Sequence, residues 1–268
     1  MFLNLALIGN PLKHTFSPFI HTRFLKNSGL NGGYCCFETD GGDSIKQTID
    51  TFRRYSFTGF NVTVPHKEEI FRLVDERDTS ADGVGAVNTV LIKDKLCGFN
   101  TDVYGFIKMI EDGGHPLEGS RVLLLGCGGA SKAVLYALKS ANVRLTLVNR
   151  NLNKAEDIIK SMKFDNVNIE DYNFITKENS FDHVINGTSM GLEDGVFADM
   201  SKIYCEKSAV DLQYKKGLTP FLKNMSHCGC AKIDGFSMLV YQAAKAFEIW
   251  TGIYPEFSVK EIADELGL

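Results

Sequence analysis

Residues 121–131 read RVLLLGCGGAS, and LTLVNR follows about twenty residues later. The order is an apolar run of strand length, a turn almost without side chains, a helix start, and a second strand ending on a basic residue. A dinucleotide site needs such a turn. Backbone N–H groups must reach a pyrophosphate, and the helix N-terminus behind them adds partial positive charge. The end of the second strand selects the cofactor: a carboxylate bonds the ribose 2′-hydroxyl of NAD, whereas a basic residue accommodates a 2′-phosphate. Here Asn149 and Arg150 end the strand, Lys154 lies one turn on, and the first carboxylate is Glu156. NADP is therefore expected rather than NAD.

A chain of 268 residues is comfortable for two domains. Its 44% hydrophobic and 23% charged content is that of a globular protein. A net charge of −4 and a pI near 5.9 argue against nucleic acid and anionic membrane as partners. No apolar run approaches the ~20 residues of a membrane span, and MFLNLALIGN reads as a first strand rather than a signal peptide. The seven cysteines show no paired framework, which suggests reduced thiols and a cytoplasmic location. His227, Cys228 and Cys230 have no second ligand pair at metal spacing, so no metal is expected. Cys127 sits in the glycine turn, where a helix N-terminus is expected to lower its pKa.

Strand-like and helix-like stretches alternate over the first hundred residues, predicting βαβ units and a mainly parallel sheet. LNLALIG, GYCCFET and FTGFNVTV read as strands; Ser17-Pro18 opens a helix, DSIKQTIDTFRRY is a second, and Pro65 starts a short third. The expected fold class is α/β with two domains. Residues 1–102 form an N-terminal substrate domain, completed by the C-terminal helices 236–268, and residues 103–235 form a Rossmann-type NADP domain. In the latter, strands are expected at 121–126 and 143–149 and helices at 130–140 and 152–161.

Polar clusters fall at the predicted strand ends, the edge where open parallel sheets bind ligands. Thr15 and Ser17 offer hydroxyls beside a helix start, suited either to a small carboxylate or, for Ser17, to plain N-capping. Alternation along FTGFNVTV puts Asn61 and Thr63 on one face, with Lys67 just beyond. Asn88 follows Gly85, and Asp102 lies at a strand-to-helix junction, as an N-cap, a site residue or both. In the second half, Asn186-Gly187-Thr188-Ser189, Asp211-Leu212-Gln213-Tyr214 and Asp234-Gly235 follow strands, and Gln242 lies on the tail helix.

Together these segments resemble the shikimate dehydrogenase family, over nearly the whole chain and with the motifs in order. The resemblance implies a substrate domain and an NADP domain, with Lys67 and Asp102 in the catalytic positions. It implies Thr15 (where the family has Ser), Ser17, Thr63, Asn88, Tyr214 and Gln242 as substrate contacts, and the amide of Asn61 suits a polyol substrate beside them. The family's GAGGA appears as Gly126, Cys127, Gly128, Gly129 and Ala130. Its NRT followed by a basic residue appears as Asn149, Arg150 and Asn151 with Lys154, and Thr188, Ser189, Leu212 and Gly235 fall at further cofactor positions. The implied reaction is reversible NADPH-dependent reduction of 3-dehydroshikimate to shikimate, in the route to chorismate and the aromatic amino acids. The alternative is a quinate/shikimate dehydrogenase of relaxed substrate or cofactor preference. The partners expected are the small-molecule substrate and cofactor, the chain being monomer or homodimer. A sensor without catalysis would be expected to lack Lys67 or Asp102, and both are present.

Overall fold

A computed structural model describes residues 2–13, 15–192 and 194–268. The chain divides into two compact units, Met1–Gly105 with Val240–Ile262, and Phe106–Leu239 with Ala263–Leu268.

In the first unit the elements run β1 (Leu3–Gly9), α1 (Ser17–Asn27), β2 (Gly32–Glu38), α2 (Asp43–Arg54), β3 (Gly59–Val62), α3 (Lys67–Leu73), β4 (Glu76–Arg77), α4 (Thr79–Val84), β5 (Thr89–Ile92) and β6 (Leu96–Phe99). The sheet order is β2-β1-β3-β5-β6-β4. Strand β1 pairs parallel with β2 and β3, and β4 pairs parallel with β6. The pairings β3–β5 and β5–β6 are antiparallel. The departure from a fully parallel sheet has a local cause. Strands β5 and β6 are joined by a tight turn in which Lys93 N–H donates to the Lys95 carbonyl at 3.0 Å, and so short a connection can only join antiparallel neighbours.

Period-two alternation sends β1 residues to two cores. Ala6 and Ile8 join Phe60, Val62 and the Ile45, Ile49 and Phe52 face of α2, while Leu5 packs with Ala246 and Trp250 on the opposite side. Gly59 makes the second packing possible. A Cβ there would collide with the Trp250 indole and the Val90 carbonyl, which are themselves joined by a 2.9 Å hydrogen bond.

The second unit follows α5 (Thr101–Asp112), whose first turn belongs to the first unit. Its elements are β7 (Arg121–Leu125), α6 (Gly129–Ser140), β8 (Arg144–Val148), α7 (Leu152–Ser161), β9 (Asn168–Glu170), β10 (Asn179–Asn186), β11 (Ile203–Asp211), α8 (Pro220–Asn224) and β12 (Ala231–Asp234). Helices α9 (Phe236–Thr251) and α10 (Val259–Leu266) complete the chain. The sheet is parallel throughout, in the order β12-β11-β10-β7-β8-β9. Counted from β7, that is the 3-2-1-4-5-6 order of dinucleotide-binding sheets.

The α/β class, the Rossmann-type second unit and the long tail helix agree with expectation. Strand β3 stops at Val62, short of the expected FTGFNVTV, because the chain turns through Thr63, Val64 and Pro65 into α3. Among the described residues no helix is long and apolar enough to cross a membrane, and no cluster of three or more His, Cys, Asp or Glu is arranged to hold a metal ion.

Candidate active site

The chemistry of the first unit gathers at the carboxyl ends of β1 and β3. The Asn10 N–H donates to the Val64 carbonyl at 3.1 Å, and Thr63 N–H to the Ile8 carbonyl at 2.9 Å, so the turn after β3 is tied to β1. The buried His66 ring bonds the Thr39 carbonyl at 2.7 Å. This fixed turn delivers Lys67 as the first residue of α3. Its ammonium donates to Asp102 Oδ2 at 2.5 Å, across 35 positions of sequence, and the two side chains are 17% and 11% exposed. The remaining ammonium hydrogens have no partner among the described residues.

Asp102 lies in the first turn of α5, where side chains rather than the helix backbone take its oxygens. Oδ1 accepts from the Asn88 amide at 2.7 Å and Oδ2 from Lys67. The Asn88 amide also donates to Gln242 Oε1 at 3.4 Å, and its oxygen accepts from Thr101 N–H at 2.8 Å and from the Thr89 hydroxyl at 3.0 Å. The Asn61 amide donates to the Asn88 carbonyl and to Thr89 Oγ1, at 3.2 and 3.0 Å. Lys67, Asp102, Asn61, Asn88 and Gln242 therefore form one hydrogen-bonded set.

Thr15 and Ser17 stand together: the Thr15 hydroxyl donates to Ser17 Oγ at 3.1 Å and accepts from Ser17 N–H at 3.2 Å. Ser17 is not the N-cap. Phe16 occupies that position, Ser17 is the first helical residue, and its hydroxyl oxygen is bonded by Thr15 rather than capping the helix. Thr63 falls just outside β3, so its placement comes from the turn and not from strand alternation. Its methyl lies over Gly9, where a Cβ would collide with it. Tyr214 belongs to the second unit, half-buried, with its ring edge-on to Phe236 at 5.8 Å; burial raises its phenol pKa.

Three contributors escaped the sequence reading. The Tyr34 hydroxyl donates to Asn61 Oδ1 at 2.8 Å, joining the edge strand β2 to the amide network. Burial pushes this phenol well above its usual range; the neighbouring Cys36 adds to the rise and the Ser17 hydroxyl opposes it. Beneath Tyr34 lies His21, fully buried and stacked on it at 4.4 Å, with neither ring nitrogen hydrogen-bonded. Burial drives the His21 pKa down to about 3, against a small opposing influence of Asn61. The third is Thr101, whose backbone and hydroxyl both bond Asn88. β-Strand register explains Tyr34: it sits level with Leu5 of β1, which is level with Gly59, two residues from Asn61 on the same face.

The second unit carries a groove of about 560 Å³, lined by Gly126, Cys127, Gly128 and Gly129 after β7, Asn149, Arg150, Asn151 and Lys154 after β8, and Gly187, Thr188 and Ser189 after β10. Tyr172 and Met190 line it too. Gly126 has φ +85°, and a Cβ there would lie 2.7 Å from Thr188 Cγ2, so both conformation and space require glycine. In front of Gly129 a Cβ would meet nothing within 4 Å. That bare space at the start of α6 is the cradle a pyrophosphate requires. Arg150 and Lys154 are exposed and form no ion pair among the described residues. The residues present thus fit a dinucleotide that bears an additional phosphate.

Ala130 follows Gly129 in the first turn of α6. Asn151 caps α7 by accepting from Lys154 N–H at 3.0 Å. Asn186 orders the third loop: its amide donates to Asp211 Oδ1 at 2.8 Å and its oxygen accepts from Thr188 N–H and Oγ1. Gly235 lies so close to Leu212 that any Cβ would strike the Leu212 carbonyl. Cys127 departs from expectation. It is 2% exposed, and burial raises its thiol pKa, outweighing the opposite pull of Lys154 and Lys132. Desolvation wins over the helix terminus because the side chain turns away from solvent.

Comparison with known proteins decides the family. The profile of the shikimate dehydrogenase substrate-binding domain matches residues 7–90, that of shikimate/quinate 5-dehydrogenase matches 108–201, and that of the shikimate 5′-dehydrogenase C-terminal domain matches 235–259. The shikimate dehydrogenase (NADP(+)) of Methanococcus aeolicus is 37% identical over 267 residues, covering 97% of this chain and 95% of that protein. The chain belongs to the shikimate dehydrogenase family. Its Methanococcus maripaludis relative of the same name is 39% identical over 263 residues, covering 95% and 94%. Among solved structures, shikimate 5-dehydrogenase from Thermus thermophilus, in complex with NADP(H) and shikimate, superposes with a TM-score of 0.85 at 33% identity, covering 99% of this chain and all of that one. Shikimate dehydrogenase from Aquifex aeolicus gives the same score and identity, covering 97% and 96%.

Proposed function

We propose that this protein is an NADP-dependent shikimate dehydrogenase in which Lys67 and Asp102 carry the proton chemistry of the reversible reduction of 3-dehydroshikimate to shikimate. NADPH, when bound, supplies the hydride to the carbonyl carbon. Charge then builds on the carbonyl oxygen, and a proton must arrive there from a group within about 2.6–3.2 Å. The Lys67 ammonium gives that proton and becomes an amine, which solvent reprotonates; in the reverse direction the amine takes the proton of the alcohol. Asp102 holds the ammonium in place from one side, and Asn88 holds Asp102. Because ammonium and carboxylate are in contact, any pH profile belongs to the pair.

The single observation that supports this reading most is the Lys67–Asp102 contact, built from two elements and flanked by amides on the same side. A polyol substrate suits that setting, since a missing hydroxyl leaves a buried polar group unpaired. The Thr15 and Ser17 hydroxyls take the substrate carboxylate. On the second unit Arg150 and Lys154 take the 2′-phosphate, and the Gly126–Gly129 turn takes the pyrophosphate.

The test is nicotinamide absorbance with shikimate and with quinate, each against NADP and NAD. Turnover confined to shikimate with NADP supports the proposal. Equal rates with quinate or with NAD would replace it by an enzyme of relaxed preference, and no turnover in any of the four would refute it.

A further inference from the structure

The basic corner of the second-unit groove contains an aromatic residue that neither the turn nor the strand-end pattern accounts for. Strand β9 pairs with β8 so that Glu170 is level with Val148, and Asn149 N–H donates to the Glu170 carbonyl at 3.0 Å. The strands end at that pair; two residues past each end stand Arg150, in the loop before α7, and Tyr172, the first residue of a 3-10 turn over Tyr172–Thr176. The paired strand ends thus leave a phenol and a guanidinium at one corner of the groove, which both line together with Lys154.

The polar groups of that corner divide into two sets. Asn149 donates its amide to the Asn151 carbonyl at 2.7 Å, and Asn151 Oδ1 caps α7, so these two hold the loop. Arg150, Lys154 and the Tyr172 hydroxyl have no side-chain partner among the described residues. The Tyr172 ring rests partly on the hydrophobic core, which includes Val148 and Ile175 and limits where the hydroxyl can point. Burial raises its pKa more than the Arg150 charge lowers it. The phenol is therefore protonated at neutral pH and available as a donor.

Two unpaired cations and one unpartnered neutral donor converging on one corner match a phosphomonoester, whose oxygens accept from all three. We infer that Tyr172 is a specificity-determining residue, its hydroxyl donating a third contact to the 2′-phosphate held by Arg150 and Lys154. The inference rests on the NADP reading of the groove and adds a residue to it.

Calorimetric titration of the intact protein with NADP+, NAD+ and adenosine 2′-phosphate tests it, with Tyr172→Phe and Arg150→Ala beside wild type. Tyr172→Phe keeps the ring on the core and removes only the hydroxyl. It is expected to weaken NADP+ and adenosine 2′-phosphate by about tenfold, the effect of one hydrogen bond to a charged group, and to leave NAD+ unchanged. If Tyr172→Phe binds all three ligands like wild type, or weakens NAD+ as much as NADP+, the inference is overturned while the cofactor reading stands. If wild type binds NAD+ as tightly as NADP+ and Arg150→Ala changes neither, the cofactor reading itself is wrong and the role of Tyr172 goes with it.

Discussion

The two candidate binding regions solve opposite problems. In the first unit the polar side chains bond one another: Asn61, Asn88, Thr89, Thr101, Asp102 and Lys67 form a closed network before any ligand arrives. In the second unit the polar corner of the groove is left open, with the side-chain polar groups of Arg150, Lys154 and Tyr172 hydrogen-bonded to nothing among the described residues. Burial accounts for the difference. Asn88 is 2% exposed, and an unpaired amide at that depth would cost roughly 1–3 kcal/mol, so its partners have to be built in. Exposed cations are hydrated at little cost and can wait for a phosphate. One region is thus preorganised for geometry and the other for charge.

This contrast breaks first at Lys67. Lys67→Ala is expected to lower kcat by about 10²–10⁴-fold with KM for shikimate within a few-fold, as removal of a positioned proton donor does. Steady-state kinetics decide it; an unchanged kcat with a raised KM would make Lys67 a binding residue in a network that serves affinity alone. Next comes the open region. Arg150→Ala is expected to raise the dissociation constant for NADP+ by about 10–100-fold, the range of a charge-assisted contact, with NAD+ little affected and wild-type binding of NADP+ weakening as salt rises. A similar loss for both cofactors would mean that Arg150 shapes the loop instead of reading the phosphate.

The floor of the closed region gives a prediction in pH. His21 is neutral when folded, with a pKa near 3, whereas unfolded histidine titrates near 6.5. Below 6.5 the unfolded chain takes up a proton that the folded chain refuses, so stability falls as pH drops through the window from 6.5 towards 3. The contribution lost by pH 5 is about 2 kcal/mol. Denaturant midpoints of wild type and His21→Phe across this window check the sign: the variant should lose less stability on acidification. His183, also lowered by burial, acts in the same direction, whereas Asp211 and Asp234, raised by burial, act oppositely just above their usual range, so only the difference between the two proteins isolates His21. The smallest expected effect is that of Tyr34→Phe, which strands Asn61 Oδ1 and should reduce kcat/KM for shikimate by about fivefold, on the order of 1 kcal/mol. An unaltered value would show that Asn61 is held without it.

Much of this was legible in the chain itself, for a physical reason. The Gly126–Gly129 turn, the Arg150 strand end and the helix limits at Leu152–Ser161 are local: a few neighbouring residues carry the whole signal. The Lys67–Asp102 contact needs two separated motifs, and it was reached through resemblance rather than periodicity. What stayed hidden depends on strand order. Tyr34 meets Asn61 only because β1 lies between β2 and β3, and nothing in GYCCFET announces it. Tyr172 shares a groove with Arg150 only because β9 pairs with β8. The Cys127 expectation failed because local position was weighed without knowing which way the side chain would be buried.

Trp250 is the chain's single tryptophan, and its indole N–H is bonded to the Val90 carbonyl in the strand that also carries Thr89. Its ring lies 5.3 Å from His21 and 6.5 Å from Tyr34. Emission excited at wavelengths that the nine tyrosines do not absorb therefore originates at one known spot, beside His21 and Tyr34. Unfolding of the first unit would expose the ring to water and shift its emission to the red, so an unlabelled sample carries its own optical gauge for that half of the molecule.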